Sequence, residues 1–146
     1  MKFKINSVQI LLVSLFTSFL FFSCEKECTE PKSPCSQETI RTLLGTWEGE
    51  FDQFNFGQYP MILEVEMIDE CNFSGKHRWT TLQNSVTTME GFMRNDTLFW
   101  TEPELLQGSN IVLNGNYVAV FSDENTLSGS WTYPNGGLGG TFAISK

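Results

Sequence analysis

The chain has 146 residues, with 9 Lys and Arg against 17 Asp and Glu and a formal net charge of −8. That length suits one domain. The acidic balance excludes nucleic acid as a partner, because such binding rests on neutralising phosphates, and it mainly serves solubility.

Taken in order, the chain starts with Lys2 and Lys4, and an apolar run follows over residues 10–22, ending at Ser23-Cys24. A basic start, a short apolar stretch and a small residue before the cut describe an export signal. Asn6, Ser7 and Gln9 interrupt the longer apolar run, which falls short of the ~20 residues that a spanning helix needs. Leu20-Phe21-Phe22-Ser23-Cys24 resembles the lipobox of bacterial lipoproteins. The resemblance implies that residues 1–23 are removed and that Cys24 is acylated. Several acyl chains would then hold the domain on a membrane, at ~0.8 kcal/mol per buried CH₂. The charged start Cys24-Glu25-Lys26-Glu27 is similar to tags that send such lipoproteins to the outer membrane or cell surface. Residues 24–35, with Pro31 and Pro34, read as a flexible tether. An exported chain permits a disulfide, and Cys35 and Cys71 are the expected pair. Both fall at one end of the domain, whereas Cys28 lies in the tether.

Residues 36–44 predict a short helix, with Ser36 as N-cap, Glu38 in the first turn and Gly45 as the stop. From there the apolar period becomes two, which predicts strands. Eight are expected, at 46–52, 59–68, 72–80, 86–94, 97–102, 110–121, 126–133 and 138–145. The inward face should include Met67 in the second strand, Ile111 and Leu113 in the sixth and Leu138 in the eighth. Asn95-Asp96-Thr97 matches a glycan acceptor pattern but is read as a turn.

A motif of an apolar residue, a spacer, Gly, a spacer and a bulky residue recurs. Trp47-x-Gly49-x-Phe51, Phe73-x-Gly75-x-His77 and Leu127-x-Gly129-x-Trp131 are three examples. Inward glycines suit the sharp bends of a barrel, or else they hollow out a pocket. Closing eight meandering strands removes exposed edges. The predicted fold is therefore all-β: an eight-stranded antiparallel up-and-down barrel over residues 36–146, preceded by the short helix.

Gly45-Thr46-Trp47, the helix before it and the eight strands resemble the calycins, the group of lipocalins and avidins. The resemblance implies that Trp47 plugs the bottom of the barrel. Strand parity then puts the longer loops, 53–58 and 103–109, at the opposite end, where binding on a rigid barrel tends to sit. The expected function is binding of a small hydrophobic or amphipathic molecule in the upper barrel. Its candidate contacts are Phe51, Met61, His77, Trp79, Trp100, Glu102, Trp131 and Tyr133. Aromatic side chains at these positions could equally fill a core. In that case the domain would be an envelope interaction protein working through its top loops.

His77, the single His, could be a base, a ligand or a core group. No converging set of metal ligands is visible. Nucleophilic catalysis needs a nucleophile, a base and an orienting group, and His77 with Glu102 supplies only a pair. Neither an enzyme nor a cofactor is expected, and the sequence leaves the oligomeric state open.

Overall fold

The computed structural model describes residues 35–146. The expected signal peptide, Cys24 and the expected tether up to residue 34 lie outside the described residues. Helix α1 (Gln37–Thr42) is followed by nine strands: β1 (Gly45–Gln53), β2 (Gly57–Asp69), β3 (Asn72–Trp79), β4 (Ser85–Arg94), β5 (Thr97–Thr101), β6 (Leu105–Gln107), β7 (Asn116–Asp123), β8 (Thr126–Thr132) and β9 (Leu138–Ser145).

Eight of these strands form the barrel. All pairings are antiparallel, in the order β3-β2-β1-β9-β8-β7-β5-β4, and pairing of β3 with β4 closes the circle. The ninth, β6, is a three-residue strand laid beside the start of β4. The glycines explain how so small a barrel closes. A Cβ on Gly49 would stand 2.1 Å from the carbonyl oxygen of Ala143, and one on Gly75 would stand 1.9 Å from that of Glu64. At these bends the backbones of neighbouring strands occupy the space that a side chain would need. The inward glycines therefore serve close strand packing and do not hollow out a cavity.

The bottom is closed as a unit. Ser36 caps α1 by accepting from the Thr39 amide (3.2 Å), and Ile40 packs inward. Leu43, still right-handed, ends the helix, so Gly45 is not its stop. Gly45 instead opens β1 with a φ of +114°, in the left-handed region that favours glycine. Trp47 is fully buried, donates from Nε1 to the Leu43 carbonyl (2.8 Å) and meets Phe121 edge-on. Lys146 lies over the Trp47 ring, with Nζ 5.3 Å from its centroid, and donates to the carbonyls of Thr42 and Leu44. Cys35 and Cys71 form a disulfide across 36 residues, tying the start of α1 to the β2–β3 turn.

Three inward assignments fail, each for a backbone reason. A bulge between Val65 and Met67 reverses the phase of β2, so Met67 is exposed while Ile68 packs on the core. A second irregularity between Trp131 and Thr132 pairs Trp131 with Gly140 and Thr132 with Leu138, which turns Leu138 outward. The predicted sixth strand begins six residues late, at Asn116. Asn110 and Asn114 adopt φ values of +63° and +59°, which interrupts extension over 110–115; Leu113 falls in a turn. Asn95 and Asp96 both take positive φ and form the two-residue β4–β5 turn, the geometry of a tight hairpin.

Candidate functional site

The upper barrel has an apolar wall with one polar cluster at its centre. Side chains alternate across each strand, so Phe51, His77, Trp79, Trp100, Tyr117 and Trp131 all point inward and are buried. Their rings interlock. Phe51 meets Trp79 and Trp131 edge-on at 5.6 and 5.9 Å between centroids, and Trp100 stacks on Tyr117 at 5.0 Å. Trp131 fits between two glycines: a Cβ on Gly115 would stand 1.9 Å from its Nε1, and one on Gly139 would stand 1.9 Å from Cε3.

Glu102 follows the end of β5 and is only 1% exposed. One carboxylate oxygen is in direct contact with His77 Nδ1 and accepts from Trp79 Nε1 (3.3 Å). The Tyr117 hydroxyl hydrogen-bonds to the same group. Burial pushes the Tyr117 phenol well above its ordinary value, and the charge of Glu102 and that hydrogen bond add to the shift. The His77 ring lies 4.4 Å from that of Trp79, tilted against it, and meets Tyr117 edge-on at 5.5 Å. A buried charge survives only when paired and hydrogen-bonded; Glu102 meets both conditions, whereas His77 Nε2 is buried without a hydrogen-bond partner. The Thr87 hydroxyl is turned to the His77 carbonyl (3.4 Å). Among the described residues no three His, Cys, Asp or Glu side chains converge as metal ligands.

The chain between β5 and β7 covers the mouth. Strand β6 is pinned to β4 by the Thr88 amide donating to the Glu104 carbonyl (2.9 Å). Ser109 is locked to the buried Ser85, whose hydroxyl accepts from the Ser109 amide (3.1 Å) and donates to its carbonyl (2.9 Å). The Asn114 amide donates to the Glu102 carbonyl (2.9 Å), closing the excursion. Under the resulting strap of Asn110, Ile111 and Val112 lies a recess of about 80 Å³. Its walls are Phe51, Trp79, Glu102, Tyr117 and Trp131, with Gln53, Tyr59 and Leu82 around the rim.

Four of the eight expected contacts, Phe51, Trp79, Glu102 and Trp131, border this recess. Met61 is fully buried in the core, His77 lies behind Trp79 and Glu102, and Trp100 packs against Phe73, Tyr117 and Phe142. Tyr133 is half-buried against Trp131 and accepts from Gln53 (3.0 Å). Tyr117 and the strap were missed. The inward phase of Tyr117 was legible, but its place on the recess depends on where β7 starts.

A broader concavity of about 690 Å³ lies on the outer wall of β3, β4, β5 and β7. It is floored by the stacked rings of Phe92 and Phe99 with Val118 beside them.

Neither a family model nor a curated protein matches the chain. Among solved structures, the chain is similar to a redesigned β-barrel, mFAP1, bound to DFHBI, with a TM-score of 0.54 and 10% identity. The match covers 74% of this chain and 98% of that one. At this identity the likeness concerns the fold alone. The closed eight-stranded barrel fits the calycin-like architecture.

Proposed function

We propose that this domain binds a small apolar or amphipathic molecule at the mouth of its barrel. The observation that carries this reading is Glu102, a carboxylate held inside an aromatic shell and bordering the recess. An apolar pocket with one or two placed polar groups is the usual form of a small-molecule site. The recess holds roughly two to three waters at ~30 Å³ each, against ~300–1,000 Å³ for a drug-sized ligand. The bulk of such a ligand must therefore lie outside the recess, against the strap over residues 110–112, which is hydrogen-bonded at its ends and packs Ile111 against the core. On this reading Cys24 is the acylated first residue of the mature protein, and the domain is held on the envelope, at the outer membrane or cell surface.

Native mass spectrometry of the full chain, purified under mild conditions, should show a co-purified small molecule. A panel of uncharged aromatic and aliphatic ligands should shift Trp fluorescence and raise the melting temperature by mass action. Silence in both assays would leave the second reading, an envelope interaction protein with a filled barrel. That alternative is favoured by the small recess and by Phe54 and Phe56 standing exposed at the tip of the β1–β2 turn.

A further inference from the structure

Resting on that reading, the charge and shape of the recess narrow the ligand further. Of the residues bordering it, Glu102 is the single acid, and no Lys or Arg is among them. A carboxylate-bearing amphiphile would bring a second anion beside Glu102 with no Lys or Arg on the recess and His77 already turned to Glu102, and burying an unpaired charge is costly. A neutral apolar group would gain the aromatic walls but nothing from the carboxylate, which already faces His77 and Trp79. A cationic group gains from both. Aromatic faces attract ammonium groups, the more so when the site is desolvated. Here Phe51, Trp79, Tyr117 and Trp131 stand around the same space as the carboxylate. The space suits a compact head rather than an extended chain.

We propose that the recess selects an organic cation: an ammonium head enters it with Glu102 as counter-ion, and the rest of the molecule lies outward against Tyr59, Leu82 and the strap. The net charge of −8 on the chain favours approach of such a ligand and disfavours an anion.

The test uses three probes of one shape and three charges: choline, 3,3-dimethylbutan-1-ol and 3,3-dimethylbutanoate. Each is titrated into the full chain, following Trp fluorescence and melting temperature. Choline should bind at least about tenfold tighter than the alcohol, with the carboxylate weakest. Glu102→Gln should abolish the preference for choline over the alcohol. The unmodified protein already decides the order, so the test survives if that variant folds poorly. Equal binding of choline and the alcohol, or tighter binding of the carboxylate, overturns the cation assignment while leaving a ligand-binding mouth intact. No response to the three probes, with uncharged ligands of the earlier panel still binding, overturns it equally. Silence of both probe sets removes the binding reading as well.

Discussion

Replacing Glu102 probes whether one carboxylate organises the upper barrel. Glu102→Met keeps the side-chain length but removes the acceptor. It would strand His77 Nδ1, Trp79 Nε1 and the Tyr117 hydroxyl in a buried volume. Each unsatisfied buried group costs ~1–3 kcal/mol. Three such costs do not simply add, because the groups share one acceptor and can relax together. Breaking a buried pair by removing one partner costs ~3–5 kcal/mol, and about 4 kcal/mol is the expected loss. A domain stable by ~5–15 kcal/mol survives this. At a slope of about 2 kcal/mol/M, the urea midpoint falls by about 2 M. His77→Leu should cost somewhat less, since Trp79 and Tyr117 still serve Glu102. The double variant should lose less than the sum of the two, with a coupling of about 1–3 kcal/mol, because two apolar groups leave no stranded charge. The assay is equilibrium urea unfolding of the oxidised protein, followed by Trp fluorescence and near-ultraviolet circular dichroism. A loss below about 0.5 kcal/mol in Glu102→Met, or additive losses in the double variant, would refute the view that this carboxylate holds the cluster.

Reducing the Cys35–Cys71 disulfide opens a loop spanning 36 residues, which the chain-entropy model values at about 4 kcal/mol; unchanged thermal midpoints with and without reductant would contradict this. Gly139→Ala should disorder the Trp131 ring, seen as a red shift and loss of near-ultraviolet signal, because the added methyl lands on the ring itself; an unaltered spectrum argues against the glycine sandwich. The raised pKa of Tyr117 fixes a sign for pH. Below the ordinary phenol value of about 10, both states are protonated and the contribution is fully present. Above it the unfolded chain loses the proton first, so stability falls by up to about 1.4 kcal/mol per pH unit. Tyr117→Phe should flatten that part of the melting profile, and an identical slope in both proteins would speak against it. Cys24→Ala should release the chain from membranes into the soluble fraction, and a mature first residue other than Cys24 would defeat the anchoring proposal.

Much of the barrel was legible because its pattern is dense. Period-two alternation gave the phase of Trp47, Phe73, His77, Met89, Leu98 and Leu127, all buried. Parity placed Cys35 and Cys71 at one end, where the structure joins them. The errors fall where one residue shifts the phase without changing composition. The bulge at Val65–Met67 leaves a perfect alternation in the sequence, since Val65, Met67 and Ile68 are all apolar. Nothing there distinguishes Met67 as the outward residue. The late start of β7 was readable. Asn114-Gly115 is a strong turn dipeptide, and the alternation of Ile111, Leu113 and Gly115 concealed it.

The site was legible as a list of inward aromatics, not as a volume. Whether such a list encloses space depends on how far each ring crosses the barrel, and that is set by glycines on neighbouring strands. Gly115 and Gly139 let the Trp131 ring lie flat between them. Gly91 similarly leaves room beside Phe73, where a Cβ would approach Cζ to 2.5 Å. The absent side chains are thus occupied by aromatic rings, and the aromatic volume that could have lined a wide cavity is spent on filling one. What remains open is the part of the mouth where Glu102 replaces an apolar group at the end of β5. On the proposed reading, such a barrel with one charged gap is a poor container for a long hydrocarbon and a suitable socket for a compact polar head. The position of that carboxylate, more than the number of aromatic residues, therefore decides what the mouth can hold.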